Sequence, residues 1–286
     1  MKFRSCSLTH SHVASKNIVN TLGGLLSSPS RSFSLISLFA AALTATAQTW
    51  PPAVAVPDAP QPRQEVTLRA TPLNILKDEG AIWSSPVRLR EKDFGYLIPL
   101  GLSVAGSITT DHQAMSEVVS HNASFNNANT NASNVLIGPF IAAPAVMFAA
   151  GHFAGNDHAR ETGILGGEAM LDSVVVEQGM KLIFWRERPT VDNAKGKFFQ
   201  TSVGVDSSFP SSHSVIAWSS AAVLAEEYPS RLNRLGIYTL ATGVSLTRVL
   251  GQQHFPSDVL VGSAFGWMIG HYVYKKHHRW HEEISR

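Results

Sequence analysis

Basic and imidazole side chains that could handle phosphate are concentrated in three separated segments of this 286-residue chain. The first contains Lys181 and Arg188, seven residues apart and followed by Pro189. If a helix continues through this stretch, two turns place both cations on one face, and Pro189 is expected to end the helix at Arg188. Lysine supplies a mobile point charge and arginine a planar fork, which together suit phosphate. For this segment alone, a basic helix end that complements the helix dipole is the simpler interpretation.

The second segment places small polar residues before a histidine at a predicted helix start. Ser211 and Ser212 precede His213. Backbone N–H groups at a helix start are free to face an anion, and His213 could exchange a proton with a group held there. An ordinary serine N-cap followed by a surface histidine is the alternative.

The third segment joins an arginine at the end of one predicted helix to an aspartate in the first turn of the next. Arg248 precedes a loop that contains His254, and Asp258 follows four residues later. At this spacing the carboxylate can accept a hydrogen bond from one imidazole nitrogen, which leaves the other free to attack. A helix-capping His–Asp pair explains the same residues.

Together, the three segments contain what phosphoryl transfer without a metal requires: fixed cations, a helix start, two histidines and one orienting carboxylate. In order and spacing they resemble the motifs of the type 2 phosphatidic acid phosphatase and vanadium haloperoxidase superfamily. The family patterns K-x6-R-P, P-S-G-H and S-R-x5-H-x3-D correspond here to K-LIFWRE-R-P, P-S-S-H and T-R-VLGQQ-H-FPS-D. The similarity spans roughly residues 164–274.

The resemblance implies a role for each motif residue. Five residues would hold the phosphoryl group: Lys181, Arg188, Ser211, Ser212 and Arg248. His254 would attack phosphorus to form a phosphohistidine, with Asp258 orienting the ring. His213 would protonate the leaving group and then activate water.

Two positions depart from the family pattern. Thr247 stands in place of serine and keeps the hydroxyl. Ser212 stands in place of glycine and adds a Cβ where the backbone would approach the phosphate. We expect Ser212 to narrow the site or to supply another hydroxyl, with reduced activity as one consequence.

Helix signals dominate the chain from about residue 90 onwards. Six helices are predicted, at residues 93–107, 135–153, 164–186, 214–227, 235–250 and 257–276. The Asn-rich stretch 122–134 is predicted to be a polar loop. The sequence therefore predicts an all-α bundle of about six core helices in a domain covering residues 91–286. This agrees with the family fold, a helical bundle with its site at one end.

The N-terminal part has a different composition. Residues 1–47 combine a basic stretch, a short apolar run and an A-x-A site, which predicts a secretory signal; an uncleaved membrane helix is the alternative. Residues 48–90 are predicted to be a Pro-rich linker followed by an irregular segment with Ile82 and Trp83 as a packing anchor. The only cysteine, Cys6, lies in the signal, so no disulfide or Cys-based metal site is expected.

Composition limits the partners. A net charge of +2 gives no electrostatic basis for nucleic-acid binding. Charged residues inside several predicted helices favour a soluble or peripherally attached bundle, with a membrane-embedded one left open. The C-terminal histidines are interpreted as a solvated basic helix end near acidic headgroups rather than a metal site: His271, His277, His278 and His281.

The leading functional hypothesis is an exported, metal-independent and cofactor-free phosphatase. Its substrate would be a phosphate monoester or diphosphate, either of a lipid or of a small molecule. One alternative is a haloperoxidase in which His254 binds vanadate. Another is a non-catalytic phosphate-binding protein. The leaving group and the oligomeric state stay open, since substrate selection is expected in loops outside the motifs.

Overall fold

The computed structural model describes residues 66–278, which fold into seven α-helices and no strand. The helices are α1 (Thr71–Ser84), α2 (Phe94–Gln113), α3 (Ala123–Ala154), α4 (Asp157–Phe184), α5 (Ser212–Glu227), α6 (Arg231–Leu250) and α7 (Pro256–His277). This confirms the predicted all-α bundle. The predicted signal at 1–47 and the Pro-rich residues up to 65 lie outside the described residues.

Helix α5 lies at the centre of the bundle and packs against α3, α4, α6 and α7. It is apolar or small on nearly every side, as expected of a helix with no solvent face, and Ala217, Trp218 and Val223 are fully or almost fully buried. Its closest neighbour is α7, which presents a glycine every four residues. A Cβ at Gly266 would come within 2.3 Å of the Val215 carbonyl oxygen, so only glycine permits this approach. The tight α5–α7 pair fixes the two helix starts that carry motif residues.

The predicted polar loop at 122–134 is wrong, because these residues form the first third of α3. Asn122 caps this helix, and its Oδ1 accepts from the Phe125 N–H at 3.1 Å. Further along, the Asn129 amide donates to the Phe125 carbonyl, and the Ser133 hydroxyl donates to the Thr130 carbonyl. The polar side chains therefore bond to the helix's own backbone instead of interrupting it.

The predicted irregular segment before residue 90 is also wrong in part, because it contains α1. The packing contacts predicted for Ile82 and Trp83 are present: Ile82 packs against the main core, and the Trp83 ring lies against Gly179 of α4. The largest other boundary differences are that α2 runs on to Gln113, that α4 begins at Asp157 and that α6 begins at Arg231. Helix α1 thus belongs to the bundle rather than to a linker.

Helix α3 is long and apolar enough to cross a membrane, judged by length and composition alone, and it is the one such helix within 66–278. Of its most apolar stretch, 22% is buried inside the protein. Val135, Val146 and Phe153 are among its exposed side chains. The bundle therefore presents an extended apolar helix face to its surroundings.

Candidate active site

The predicted site residues lie at one end of the bundle, where α4 and α6 end and α5 and α7 begin. They are Lys181 in the last turn of α4, Arg188 beyond it, Ser211, Ser212 and His213 at the start of α5, Arg248 near the end of α6, and His254 and Asp258 around the start of α7. Direct contacts join these helix ends: the Ser211 N–H donates to the Asp258 carbonyl at 3.1 Å, and the His254 N–H donates to that of Arg248 at 3.4 Å.

His254 is 2% exposed and is fixed through one ring nitrogen. Its Nδ1 lies 2.8 Å from the carbonyl oxygen of Ser208. Because a carbonyl only accepts, Nδ1 carries the hydrogen, and the lone pair of the neutral ring resides on Nε2. Burial lowers the pKa of His254 to about 4, against the opposing effect of Asp258. The imidazole is therefore neutral near pH 7, as a nucleophile must be.

The expected direct hydrogen bond between Asp258 and His254 is not formed, because Asp258 Oδ2 lies 3.7 Å from Nδ1. The carboxylate instead accepts from the Ser208 hydroxyl and from the Phe255 N–H at 2.9 Å. Ser208 thus connects the two residues: its hydroxyl binds Asp258 and its carbonyl holds the ring. Burial alone would raise the pKa of Asp258, but the Arg186 guanidinium lowers it below its ordinary value, so the group is charged.

Arg188 reaches the site from an extended segment rather than from a helix. Helix α4 ends at Phe184, and Trp185 adopts a left-handed conformation with φ 36°, so the predicted helical face shared by Lys181 and Arg188 is wrong. The Arg188 Nη1 donates to the Gln253 carbonyl, next to His254, at 3.0 Å. Its other nitrogens pair with the exposed Asp206.

Arg248 is buried and incompletely paired. Its Nη1 donates to the Ser133 hydroxyl of α3 at 3.1 Å, and its Nε is buried without a hydrogen-bond partner among the described residues. Burial, together with the charge of Arg188, lowers the pKa of Arg248 to about 10. Arg248 therefore remains a cation at neutral pH, with a donor still to satisfy.

The electrostatics of His213 show that the cations converge. Its Nε2 lies 2.9 Å from the Asn134 Oδ1 of α3. The pKa of His213 is lowered to about 3, first by burial and then by the charges of Arg248, of His254 when protonated, of Lys181 and of Arg188, in that order. All four groups therefore lie within electrostatic reach of one imidazole, although they and His213 come from three separate sequence segments.

A family comparison agrees with this arrangement. Residues 162–282 match the family model of the PAP2 superfamily. The matched residues include all three segments that contribute the predicted site residues. It is also similar to Lipid A 1-phosphatase of Porphyromonas gingivalis, at 35% identity over 69 residues, which is 23% of this chain and 16% of that protein. The match thus spans about a sixth of that relative. No solved structure matches.

Ser212, where the PAP2 pattern has glycine, connects the phosphate-site lysine to a buried carboxylate. The Lys181 ammonium donates to the Ser212 Oγ at 3.0 Å, and this hydroxyl donates to Glu177 Oε1 at 2.6 Å. Glu177 lies one turn before Lys181 on α4 and also contacts its ammonium at 2.9 Å. The sequence interpretation gave Glu177 no role in the site. Its carboxylate compensates part of the positive charge that would attract phosphate.

We expect Glu177→Gln to bind inorganic phosphate about tenfold more tightly. The substitution keeps the shape but removes a negative charge beside the phosphate-binding lysine. A tenfold change is ~1.4 kcal/mol, a fraction of the ~4 kcal/mol for charges about 4 Å apart near a protein surface, because the phosphate would bind beyond Lys181. Competitive inhibition by phosphate measures the effect. The matched control is Glu91→Gln, an exposed carboxylate before α2. Equal or weaker phosphate binding by Glu177→Gln would contradict this account of the charge balance.

Arg186 is a second component that the sequence motifs did not identify. The residue is 1% exposed, and its guanidinium lies between the rings of Phe198 and Phe255, at 4.5 and 4.1 Å from their centroids. Nη1 contacts Asp258 at 2.5 Å, and Nη2 contacts Asp111 of α2 at 2.7 Å. The position of Arg186, two residues before Arg188, was the one sequence signal that could have placed it near the site. Asp111 lies 75 residues from Arg186, and no sequence signal connects the two. Arg186 positions Asp258 and, through Ser208, His254.

Proposed function

We propose that this protein is a phosphatase that hydrolyses a phosphate monoester or diphosphate through a covalent phosphohistidine at His254. The observation that carries the proposal is the pairing of a neutral, buried imidazole with the converging cations Lys181, Arg188 and Arg248. The PAP2 match and the phosphatase relative support the same class of reaction.

In the proposed reaction, the three cations bind the non-bridging oxygens of the phosphoryl group. Nε2 of His254 attacks phosphorus, and the bond to the leaving oxygen breaks while a N–P bond forms. His213 donates a proton to the leaving oxygen. Water, deprotonated by His213, then attacks the phosphohistidine, which releases inorganic phosphate and restores both imidazoles.

The low pKa of His213 is consistent with proton donation to the leaving group, because the cations that lower it would be neutralised by bound phosphate. Besides burial, the lowering comes from three cations, Arg248, Lys181 and Arg188, and from His254 when its ring is protonated. A bound phosphate dianion compensates these charges, so the pKa of His213 rises when substrate binds. The ring is therefore expected to gain its proton in the complex, where the leaving group needs it.

For the substrate we propose a phosphorylated lipid at a membrane surface, processed by a protein exported through its N-terminal segment. The relative is by name a lipid A 1-phosphatase. The exposed apolar face of α3 also supports membrane association. A small exported ester is the alternative substrate, and the assay below distinguishes the two.

The test is release of inorganic phosphate by purified protein in EDTA, from a lipid monophosphate in micelles, a lipid diphosphate and p-nitrophenyl phosphate. The assay temperature is one at which circular dichroism shows the chelated protein to be folded. Lys181→Met should lower turnover by about 10²–10³-fold, since it removes one fixed charge from the transition state. The matched control is Lys195→Met, an exposed lysine paired with Asp192.

Two results would overturn the proposal. One is the absence of phosphate release from every ester under conditions in which the protein is folded. The other is activity that EDTA abolishes while the fold persists, because the proposed chemistry uses no metal. Faster hydrolysis of p-nitrophenyl phosphate than of both lipids would reject the lipid substrate alone.

A further inference from the structure

The end of α7 opposite the active site carries a buried cluster of acids around a histidine. His277 is the last residue of this 22-residue helix, about 30 Å from the end that bears Asp258 at 1.5 Å per residue. Its side chain is 8% exposed, so the predicted solvated helix end is wrong here. Its Nε2 lies 2.8 Å from Asp78 Oδ2 of α1 and 3.7 Å from Glu168 Oε1 of α4.

Two carboxylates in this cluster are buried without hydrogen-bond partners. Glu168 is 1% exposed, and neither oxygen receives a hydrogen bond of normal geometry from any described residue. The Asn74 side chain is near enough to act as a weak donor, and His277 acts through its charge. Asp172, one turn further along α4, is 0% exposed and also lacks partners on both oxygens within the described chain. Buried polar groups are nearly always satisfied, and unpaired buried carboxylates are costly. Their environment is suited to a cation.

The positions of the basic side chains around the cluster also favour a bound cation. The neighbouring Lys276 compensates mainly Asp78, because its ammonium binds Oδ1 of that residue. The other oxygen of Asp78 faces His277. Among the described residues, no basic side chain donates a hydrogen bond to Glu168 or Asp172.

We propose that Asp78, Glu168 and His277 form a site for a divalent transition-metal ion, with Zn²⁺ as the best fit. One ligand atom from each residue lies within 4.8 Å of the other two. Ligands about 2.1 Å from a tetrahedral zinc ion are roughly 3.4 Å apart, and the observed separations of 2.8 and 3.7 Å from the imidazole nitrogen fall on either side of that value. An imidazole ligand favours zinc over magnesium or calcium.

The surrounding residues would complete such a site. Lys276 and the Tyr272 hydroxyl both donate to Asp78 Oδ1, which orients Oδ2 towards the cluster. Asp172 lies one helical turn from Glu168, where it can accept a hydrogen bond from a metal-bound water. Asp78 lies outside the PAP2 match at 162–282, whereas Glu168 and His277 lie within it. A bound ion would therefore fasten α1 to the part of the chain that matches the PAP2 superfamily.

The test uses the full chain, stripped with EDTA, dialysed and then titrated with Zn²⁺. We expect one zinc per chain by mass spectrometry of the metal and a rise in Tm of roughly 5–10 °C at 100-fold excess over Kd. Asp78→Asn and Glu168→Gln keep the side-chain shapes and should lose both the zinc and the shift. Mg²⁺ at the same concentration should give no shift. Failure to bind zinc, or a larger shift with Mg²⁺, would overturn the assignment.

A neighbouring cluster supplies the matched control. His278 lies 3.0 Å from Glu227 and 3.6 Å from Glu161. His278→Ala should still bind one zinc, while Asp78→Asn should not. The reverse pattern would place the ion at the second cluster and reject the proposed ligands. Lys181→Met, at the opposite end, should bind zinc normally, so this test stands apart from the phosphatase assay.

Discussion

Replacing His254 with alanine is expected to lower phosphate release by about 10³-fold or more and to abolish covalent labelling by a radioactive phosphate ester. The loss is large because the variant has no nitrogen to form the N–P bond, whereas the cations still bind phosphate. Rapid acid-free quenching followed by phosphohistidine analysis measures the intermediate. His152→Ala, an exposed histidine on α3, serves as the control and should label normally. Labelled protein recovered from His254→Ala would place the nucleophile elsewhere.

A companion variant separates the two imidazoles. His213→Ala should still form the phosphohistidine from p-nitrophenyl phosphate, since p-nitrophenolate leaves without protonation. Hydrolysis of the intermediate should then become slow, because no base activates the water. We expect the time course to show a burst of one p-nitrophenolate per chain, followed by slow steady-state release. A His213→Ala variant with neither burst nor labelling would assign this residue to binding rather than to proton transfer.

The sequence was most informative where the chemistry is local. His254 and Asp258 share one helix start, and Ser211 to His213 share another, so short spacings preserve their relation in any helical fold. Even there, the spacing of four residues predicted a direct His–Asp hydrogen bond that Ser208 mediates instead. Sequence spacing predicts which residues lie close together. The hydrogen-bond partners of those residues also depend on the loop that packs over them.

Contacts between distant segments could not be predicted in this way. Asp111 meets Arg186 across 75 residues, and Asp78 meets His277 across 199. No periodicity or motif records such a pairing, because it arises only when α2 and α1 pack on the bundle. For the same reason His277 resembles a solvated basic tail in the sequence and is enclosed by carboxylates in the fold.

Local composition was misleading at the start of α3. Asn and Ser are common in loops because their side chains compete for backbone hydrogen bonds. In residues 122–134 that competition is resolved within the helix, where Asn122 caps the first turn and Ser133 bonds one turn back. Ser133 and Asn134 then contact Arg248 and His213. The misassigned stretch is therefore part of the wall of the candidate site.

Arg186→Met is expected to lower the free energy of unfolding by about 3–5 kcal/mol, because it leaves Asp111 and Asp258 buried without their shared cation. The apolar chain of methionine still fills the space between Phe198 and Phe255. The loss of stability is therefore due to the removed positive charge and not to a cavity. Urea denaturation at pH 7 measures it. Arg188→Met, whose guanidinium pairs with the exposed Asp206, should cost less than about 1 kcal/mol.

The pH dependence distinguishes an uncompensated charge from a general packing defect. In the native protein the pKa of Asp258 is lowered, so its contribution to stability is present above the unfolded-state pKa and is lost as the pH falls through the folded-state pKa. Without Arg186, burial raises the pKa of this carboxyl above its unfolded value, and the folded variant then takes up protons as the pH falls. The difference in free energy of unfolding between the native protein and Arg186→Met should therefore become smaller as the pH falls from 8 to 5. A deficit that stays constant over this range would show that the guanidinium acts through packing, and the positioning of His254 through Asp258 and Ser208 would lose its electrostatic basis.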